Sequence, residues 1–374
     1  MRLNTLQLTH FRNYAEQEVK FSPGVNVFIG ENAQGKTNLL EAIYMLSLAR
    51  SHRTAQDREV IGWGAEFARL DGQIEKKNTT IPLTLTLTKH GKAAKVNHLE
   101  QRRLSDYVGQ LNVVLFAPED LELVKGPPQQ RRKFIDMELS QMNALYLHES
   151  THYQRLLKQR NAYLKQLQRH LATDEVYLDV LTEQLVASAV KIMRERQQFI
   201  DQLETIAQPI HAELTEDKET LTLTYAATLD LEEFADELAL QQALQEAFQD
   251  LRAKEIEKGT TLMGPQREDV HFAINGQDVQ KFGSQGQQRT TALSLKLAEI
   301  ECMRQVLGEY PLLLLDDVLS ELDDNRQTHL LKSIEDKIQT FLTTTSLDGV
   351  KQEQIHQPTL FQIKDGHVNR EVSD

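Results

Sequence analysis

The chain has one cysteine, Cys302, so an intrachain disulfide framework is excluded and a reducing compartment fits. Long hydrophobic runs are missing as well. The longest purely aliphatic stretch near any motif, Leu312 to Leu315, is far too short to span a bilayer. The N-terminus, Met-Arg-Leu-Asn-Thr-Leu-Gln-Leu, alternates and has no apolar signal core. A soluble, cytoplasmic protein without membrane association is expected. No proline lies between Pro128 and Pro209, which leaves that stretch free to be helical. Positive charge is in deficit: 42 basic against 55 acidic residues give a net charge of −13, which argues weakly against nucleic acid.

The distribution of charge matters more than its sum. Ser150 to His170 contains Arg155, Lys158, Arg160, Lys165 and Arg169 and no acid, whereas thirteen acids fall between Glu213 and Glu257. One face can meet phosphates while another repels them. With 374 residues, 40% hydrophobic and 26% charged, the balance is that of an ordinary globular protein long enough for several domains.

Leu3, Leu6 and Leu8 predict a first strand, Val19 and Phe21 a second, and Val25–Ile29 a third that ends at Gly30. Apolar spacing at Leu39, Leu40, Ile43 and Leu46 predicts a helix over Lys36–Ala49. Ile81–Thr88 alternates threonine with leucine, as a half-buried strand does. Asn112–Phe116 is another strand candidate. Leucines at helical spacing on either side of Thr173 and Asp174, either of which can cap the second helix, predict an antiparallel hairpin. Each arm would hold roughly 30 residues and reach about 45 Å. Beyond Gly264 the α/β pattern returns. Phe272–Ile274 and Val279–Phe282 flank an Asn275-Gly276 turn, and Leu312–Leu315 and Thr340–Thr344 are strands around a helix from about Asn325. Sheet at both ends with helices between predicts a split α/β domain with a helical insertion.

Gly30-Glu31-Asn32-Ala33-Gln34-Gly35-Lys36-Thr37 fits the P-loop pattern G-x-x-x-x-G-K-[ST], with the required strand before it and helix after it. Its backbone N–H groups wrap phosphate, Lys36 supplies charge to the β- and γ-phosphates, and Thr37 offers a hydroxyl to Mg²⁺. Leu312–Leu315 delivers Asp316 and Asp317 to a strand end, where Asp316 would hold Mg²⁺ and Asp317 would polarise the attacking water. Ser284-Gln285-Gly286-Gln287 opens a helix and resembles the signature motif of ABC ATPases. In those proteins the signature of one protomer closes on the γ-phosphate held by another. Ser320-Glu321-Leu322-Asp323 resembles their D-loop, with Asp323 near the dimer seam.

Taken with His10-Phe11-Arg12-Asn13-Tyr14, Pro118-Glu119-Asp120-Leu121, Gly264-Pro265, Arg289-Thr290 and Leu315-Asp316-Asp317-Val318, these motifs resemble the RecF family over essentially the whole chain. The resemblance implies a P-loop ABC-type ATPase head of α/β class, with mixed and antiparallel sheets, over 1–116 and 262–374. It implies a helical insertion over 117–261. It also implies ATP and Mg²⁺ binding, an ATP-dependent homodimer, and binding to single-stranded and gapped or junction duplex DNA. Slow, DNA-stimulated hydrolysis would accompany recombinase loading with RecR and RecO type partners in repair, replication and the SOS response. Two departures stand out. Gln266 occupies the place of a family histidine after Gly264-Pro265. No ABC switch histidine follows Thr340–Thr344, so Thr344 and Thr345 are the candidates for sensing the γ-phosphate.

Candidate DNA contacts are Arg50, Arg53 and Arg58, then Arg131, Arg132 and Lys133, then the Arg155 to Arg169 stripe with Lys158. Aromatic stacking platforms are not evident, so backbone-dominated binding is expected. His148-Glu149-Ser150-Thr151-His152 also fits the zinc pattern H-E-x-x-H, a competing expectation disfavoured beside the ATP constellation. The ATPase subunit of a membrane transporter is the alternative function, but it should show glutamine and histidine switches that are not apparent.

Overall fold

The computed structural model describes residues 1–77, 79–334, 337–345 and 357–371. The chain opens with strands β1 (Arg2–Phe11), β2 (Tyr14–Lys20) and β3 (Val25–Ile29), helix α1 (Lys36–Leu48), and strands β4 (Phe67–Lys76), β5 (Thr79–Thr88), β6 (Gly91–Val96), β7 (Leu99–Glu100) and β8 (Val113–Phe116). It continues through α2 (Leu121–Lys125), α3 (Pro128–Met142), α4 (Ala144–Gln168), α5 (Glu175–Leu214), β9 (Leu221–Ala226), α6 (Glu237–Lys258), β10 (Asp269–Ile274), β11 (Gln277–Asp278) and α7 (Val279–Phe282). It closes with α8 (Gln285–Leu307), β12 (Leu312–Asp316), α9 (Asp324–Ile334), β13 (Thr340–Thr344), β14 (Thr359–Lys364) and β15 (His367–Arg370).

The chain divides into two compact units: Met1–Leu121, Pro209–Lys218 and Arg289–Asp374 form one, and Glu122–Gln208 with Glu219–Gln288 form the other. Residues 262–288 therefore cluster with the helical unit, to which they contribute strands β10 and β11, rather than with the P-loop unit, where motif order alone would place them.

The first unit holds two six-stranded sheets. One is antiparallel, in the order β2-β1-β4-β5-β6-β7. In β5 the leucines at 83, 85 and 87 are buried while the intervening threonines are not, as alternation requires. The other sheet runs β15-β14-β3-β13-β12-β8 and is parallel except for β15. Parallel strands are covered on both faces and so read as unbroken apolar runs. β12 is the example, with all five residues buried. Phe21 packs edge-on to Phe28, Phe341 and Phe361 beside this sheet, with ring centroids 5.0 to 6.2 Å apart.

In the second unit α3, α4 and α6, with residues 175–208 of α5, accompany the three-stranded sheet β11-β10-β9. The helices α4 and α5 are unequal, with 25 and 40 residues, and α5 runs through Pro209. Asp174 caps α5 by accepting from the N–H groups of Val176 at 3.0 Å and Tyr177 at 3.2 Å. Leu164, Leu167 and Leu178 form the apolar seam between these two helices. Val279–Phe282, read from sequence as flanking a hairpin turn, is instead a helical turn capped by Asp278, which accepts from Lys281 N at 3.1 Å. The hairpin itself closes two residues after Asn275-Gly276.

Candidate nucleotide-binding site

β3 delivers the chain to Gly30, where a Cβ would come within 2.4 Å of the Ile363 carbonyl oxygen of β14. At the other end of the loop, Gly35 has φ 120°, a region that only glycine enters freely. A Cβ there would lie 2.7 Å from Asn13 Nδ2 and 2.9 Å from Tyr14 Oη. Both neighbours are holding the loop. Tyr14 donates to the Gly35 carbonyl at 2.9 Å, and Asn13 Nδ2 donates to the Gln34 carbonyl at 3.1 Å. From the β14–β15 turn, Asp365 N donates to Gln34 Oε1 at 2.6 Å and Gly366 N to the Gln34 carbonyl at 3.2 Å. The loop is thus pinned by two turns from different parts of the chain. α1 begins at Lys36 without a side-chain cap, which leaves its first-turn N–H groups to an anion.

Lys36 Nζ donates to the carbonyls of Gly30 at 2.6 Å and Glu31 at 2.8 Å, folding back over the loop. Burial lowers its pKa from the usual lysine value, against the opposing charges of Asp317 and Asp316. Thr37 Oγ1 donates to Asp316 Oδ1 at 3.0 Å.

The sheet order explains the rest. β13 lies between β3 and β12, so its end is interposed between the loop and the carboxylates. Thr343 pairs in register with Asp316 on one side and Phe28 on the other. Its Oγ1 donates to Asp316 Oδ1 at 2.8 Å and accepts from Asp317 N at 3.0 Å. Thr343 is therefore a second hydroxyl beside Thr37 at the Asp316 carboxylate, one that the sequence did not single out. The missed signal was strand order, which motif spacing does not carry. Asp317 sits in the left-handed region at φ 54°. Burial raises its pKa above the ordinary aspartate value; Lys36 opposes the rise and Asp316 adds to it.

Together Asn32, Ala33, Gly35, Lys36, Thr37, Asn38, Arg53, Asp316, Asp317 and Thr343 line a cleft of about 380 Å³. Behind it, the buried Glu41 accepts from Arg12 Nε at 2.9 Å, Arg12 Nη2 at 2.7 Å and Ser51 Oγ at 2.5 Å. Burial alone would raise the Glu41 pKa, but these donors and the charges of Arg12 and Arg53 bring it below the ordinary value. Arg53 Nη1 also donates to Asn38 Oδ1 at 2.8 Å, which places the exposed Arg53 on this cleft wall.

The segment Ser284–Gln287 lies in the second unit. Ser284 Oγ accepts from Gln287 N at 3.2 Å, and Gln287 Oε1 accepts from Ser284 N at 2.9 Å, a reciprocal cap that opens α8. Ser284, Gln285 and Gly286 are exposed. Asp323 is exposed in the first unit and accepts from Arg326 N at 3.0 Å. The side chains of Ser320 and Glu321 lie outside the described residues.

Two of the proposed DNA-contacting arginines are corrected by burial. Arg131 is 3% exposed and forms a two-point pair with Asp269 at 2.7 and 2.8 Å, with a third bond to the Gly126 carbonyl. Arg160 is 1% exposed and is consumed by Glu255 at 2.6 Å, Thr182 and Thr261. A buried guanidinium needs such partners, and they lie far away in sequence where spacing cannot reveal them. Arg132 is half-buried and donates to the Glu268 carbonyl at 2.6 Å. Arg50, Arg58, Lys133, Arg155, Lys158, Lys165 and Arg169 are exposed. In the H-E-x-x-H segment, Glu149 is held by Ser188 at 2.9 Å and Lys191 at 3.1 Å. Among the described residues no cluster of three or more His, Cys, Asp or Glu side chains could hold a metal ion.

A pinned glycine loop after a parallel strand, with an acid and a hydroxyl from neighbouring strands facing it, defines a nucleotide-binding head of the ABC ATPase class. The family model described as RecF/RecN/SMC N terminal domain matches residues 2–365. Curated relatives called DNA replication and repair protein RecF include one from Macrococcus caseolyticus, 56% identical over 99% of this chain and all of its own length. Another, from Bacillus subtilis, is 56% identical over 98% of this chain and 99% of its own. The chain belongs to the RecF family. A solved structure of the recombination mediator protein RecF with ATP matches at TM-score 0.92 and 33% identity, covering 99% of this chain and 97% of the other. An SMC head matches at TM-score 0.57 and 14% identity, a likeness of fold. No described helix is long and apolar enough to cross a membrane.

Proposed function

We propose that this chain is an ATP-controlled DNA-binding protein of recombinational repair and replication-fork maintenance. It acts at single-stranded gaps as an ATP-induced dimer, with slow hydrolysis, to help load recombinase with RecR and RecO type partners and to support the SOS response. The observation that carries the nucleotide reading is the convergence of Lys36, Thr37, Asp316 and Thr343 on one cleft. Membership of the RecF family carries the rest.

Within that reading, the loop N–H groups and the α1 N-terminus receive the phosphates, and Lys36 exchanges its two carbonyl partners for phosphate oxygen. The donor set of Thr37 Oγ1 and the Asp316 carboxylate, 3.0 Å apart and purely oxygen, fits Mg²⁺, which would neutralise phosphate charge when bound. Thr343 orients the Asp316 carboxylate, and Asp317, made more basic by burial, takes the proton of the attacking water. The Ser284–Gln287 helix start of a second copy, exposed at Ser284, Gln285 and Gly286, completes the pocket around the γ-phosphate, with Asp323 at the seam. DNA contact rests on the exposed Arg50, Lys133, Arg155 and Lys158, through phosphates more than bases.

The test is to compare Lys36→Ala and Ser284→Arg with wild type by mass in solution, with and without ATP. Each change should abolish ATP-dependent dimerisation. Dimers formed by both variants on addition of ATP would overturn the trans-site reading.

A further inference from the structure

We propose that Trp63 is the platform on which the base of the bound nucleoside triphosphate stacks. This rests on the nucleotide reading of the P-loop. Trp63 is the only tryptophan in the chain, and its side chain is fully exposed, at 104%. A large aromatic left wholly in water has its stacking capacity unused.

Trp63 borders a second cleft, of about 1010 Å³, which shares Asn38 and Arg53 with the P-loop cleft. The wall common to both is a hydrogen-bonded chain: Asn38 Nδ2 donates to Asn13 Oδ1 at 2.8 Å, and Arg53 Nη1 donates to Asn38 Oδ1 at 2.8 Å. Asn38 directly follows Thr37 in the first turn of α1. A triphosphate seated on that turn must send its nucleoside out of the smaller cleft, and the larger one adjoins it.

The platform is held still from below. Gly62 N donates to the His10 carbonyl at 2.7 Å, Ala65 N to the Gly62 carbonyl at 3.0 Å, and Ile61 bridges to Phe11. The segment is thereby fixed to the β1–β2 turn, whose Asn13 and Tyr14 also pin the P-loop. Ring and phosphate cradle share one anchor, so the spacing between base and phosphate is set by the same turn. On the same rim, the exposed carboxylate of Glu66 only accepts hydrogen bonds, which suits a base with an exocyclic amine.

The single tryptophan makes its own reporter. The full-length protein is titrated with Mg-ATP and, separately, with Mg-tripolyphosphate, which takes the phosphate cradle but brings no base. ATP should quench the tryptophan emission saturably and tripolyphosphate should not. Trp63→Ala should weaken ATP binding about tenfold and leave tripolyphosphate binding unchanged, with Trp63→Phe restoring most of the loss. Unchanged ATP affinity in Trp63→Ala, or equal quenching by tripolyphosphate, overturns the proposal. So does quenching by oligothymidylate without quenching by ATP, which would assign the ring to DNA. Wild-type protein that binds neither ATP nor tripolyphosphate would fail the P-loop reading itself and take this proposal with it.

Discussion

Thr343→Val removes one hydroxyl while keeping the side-chain shape. In the structure that hydroxyl does two things at once. It donates to Asp316 Oδ1 at 2.8 Å and accepts from the backbone N–H of Asp317 at 3.0 Å. The first bond is to a carboxylate and is worth about 1.5–3 kcal/mol; the second is neutral and worth about 0.5–1.5 kcal/mol. The N–H released belongs to a non-glycine residue at φ 54°, so the backbone it steadies is not one that aspartate adopts readily. A loss of about 2–4 kcal/mol is therefore expected, read as a shift in the urea midpoint at constant slope. Mg-ATP affinity should fall by about tenfold or more, because Asp316 loses the group that aims it. Thr343→Ser keeps both bonds and should stay within about 1 kcal/mol of wild type. Thr345→Val, at an exposed position just past β13, should change stability by less than about 0.5 kcal/mol. Thr343→Val protein with wild-type stability and wild-type Mg-ATP affinity would refute the argument that strand order places this hydroxyl in the site.

Three further outcomes are expected. Arg160→Ala strands the buried Glu255 and should cost about 3–5 kcal/mol, whereas the double change Arg160→Met with Glu255→Leu should unfold near wild type and bind DNA as wild type. DNA affinity reduced in that stable double variant would return Arg160 to the DNA surface. Replacing exposed Arg155 and Lys158 by alanine should flatten the salt dependence of duplex binding by about 0.9 in log–log slope for each phosphate the variant no longer neutralises, and an unchanged slope would remove them from the interface. Asp120 accepts from Ala117 N at 2.9 Å, and its pKa is pushed by burial from 3.8 up to about 6. A raised folded pKa means the native state holds the proton more tightly, so this group's stabilisation is complete below pH 3.8 and is lost as pH rises through about 6. Asp120→Asn should remove that decline from the urea midpoints, and identical pH profiles would contradict it.

What the sequence revealed and what it concealed follow from how local each feature is. The P-loop is legible because eight contiguous residues carry it, with strand and helix patterns on either side. Asp316 is legible because a fully buried parallel strand has no polar residue until its end. Thr343 is not, because its place depends on β13 running between β3 and β12, a fact about neighbours in space. The basic clusters failed in the same way. Arg131 looks like Lys133 in sequence, and only Asp269, 138 residues on, shows that one is buried and paired while the other is exposed. The short helix at Val279–Phe282 was hidden because four residues are too few to show a period, and an Asp278 cap outweighed the apparent strand. Trp63 carried no motif at all; its exposure is visible only once the fold is.

The most direct test weighs the full-length protein in solution without nucleotide and then with a non-hydrolysable ATP analogue, each with and without gapped DNA. The account predicts 42.9 kDa alone and twice that with the analogue, together with tighter DNA binding. A single-chain mass in every condition, with DNA held equally well whether or not the analogue is present, would contradict it.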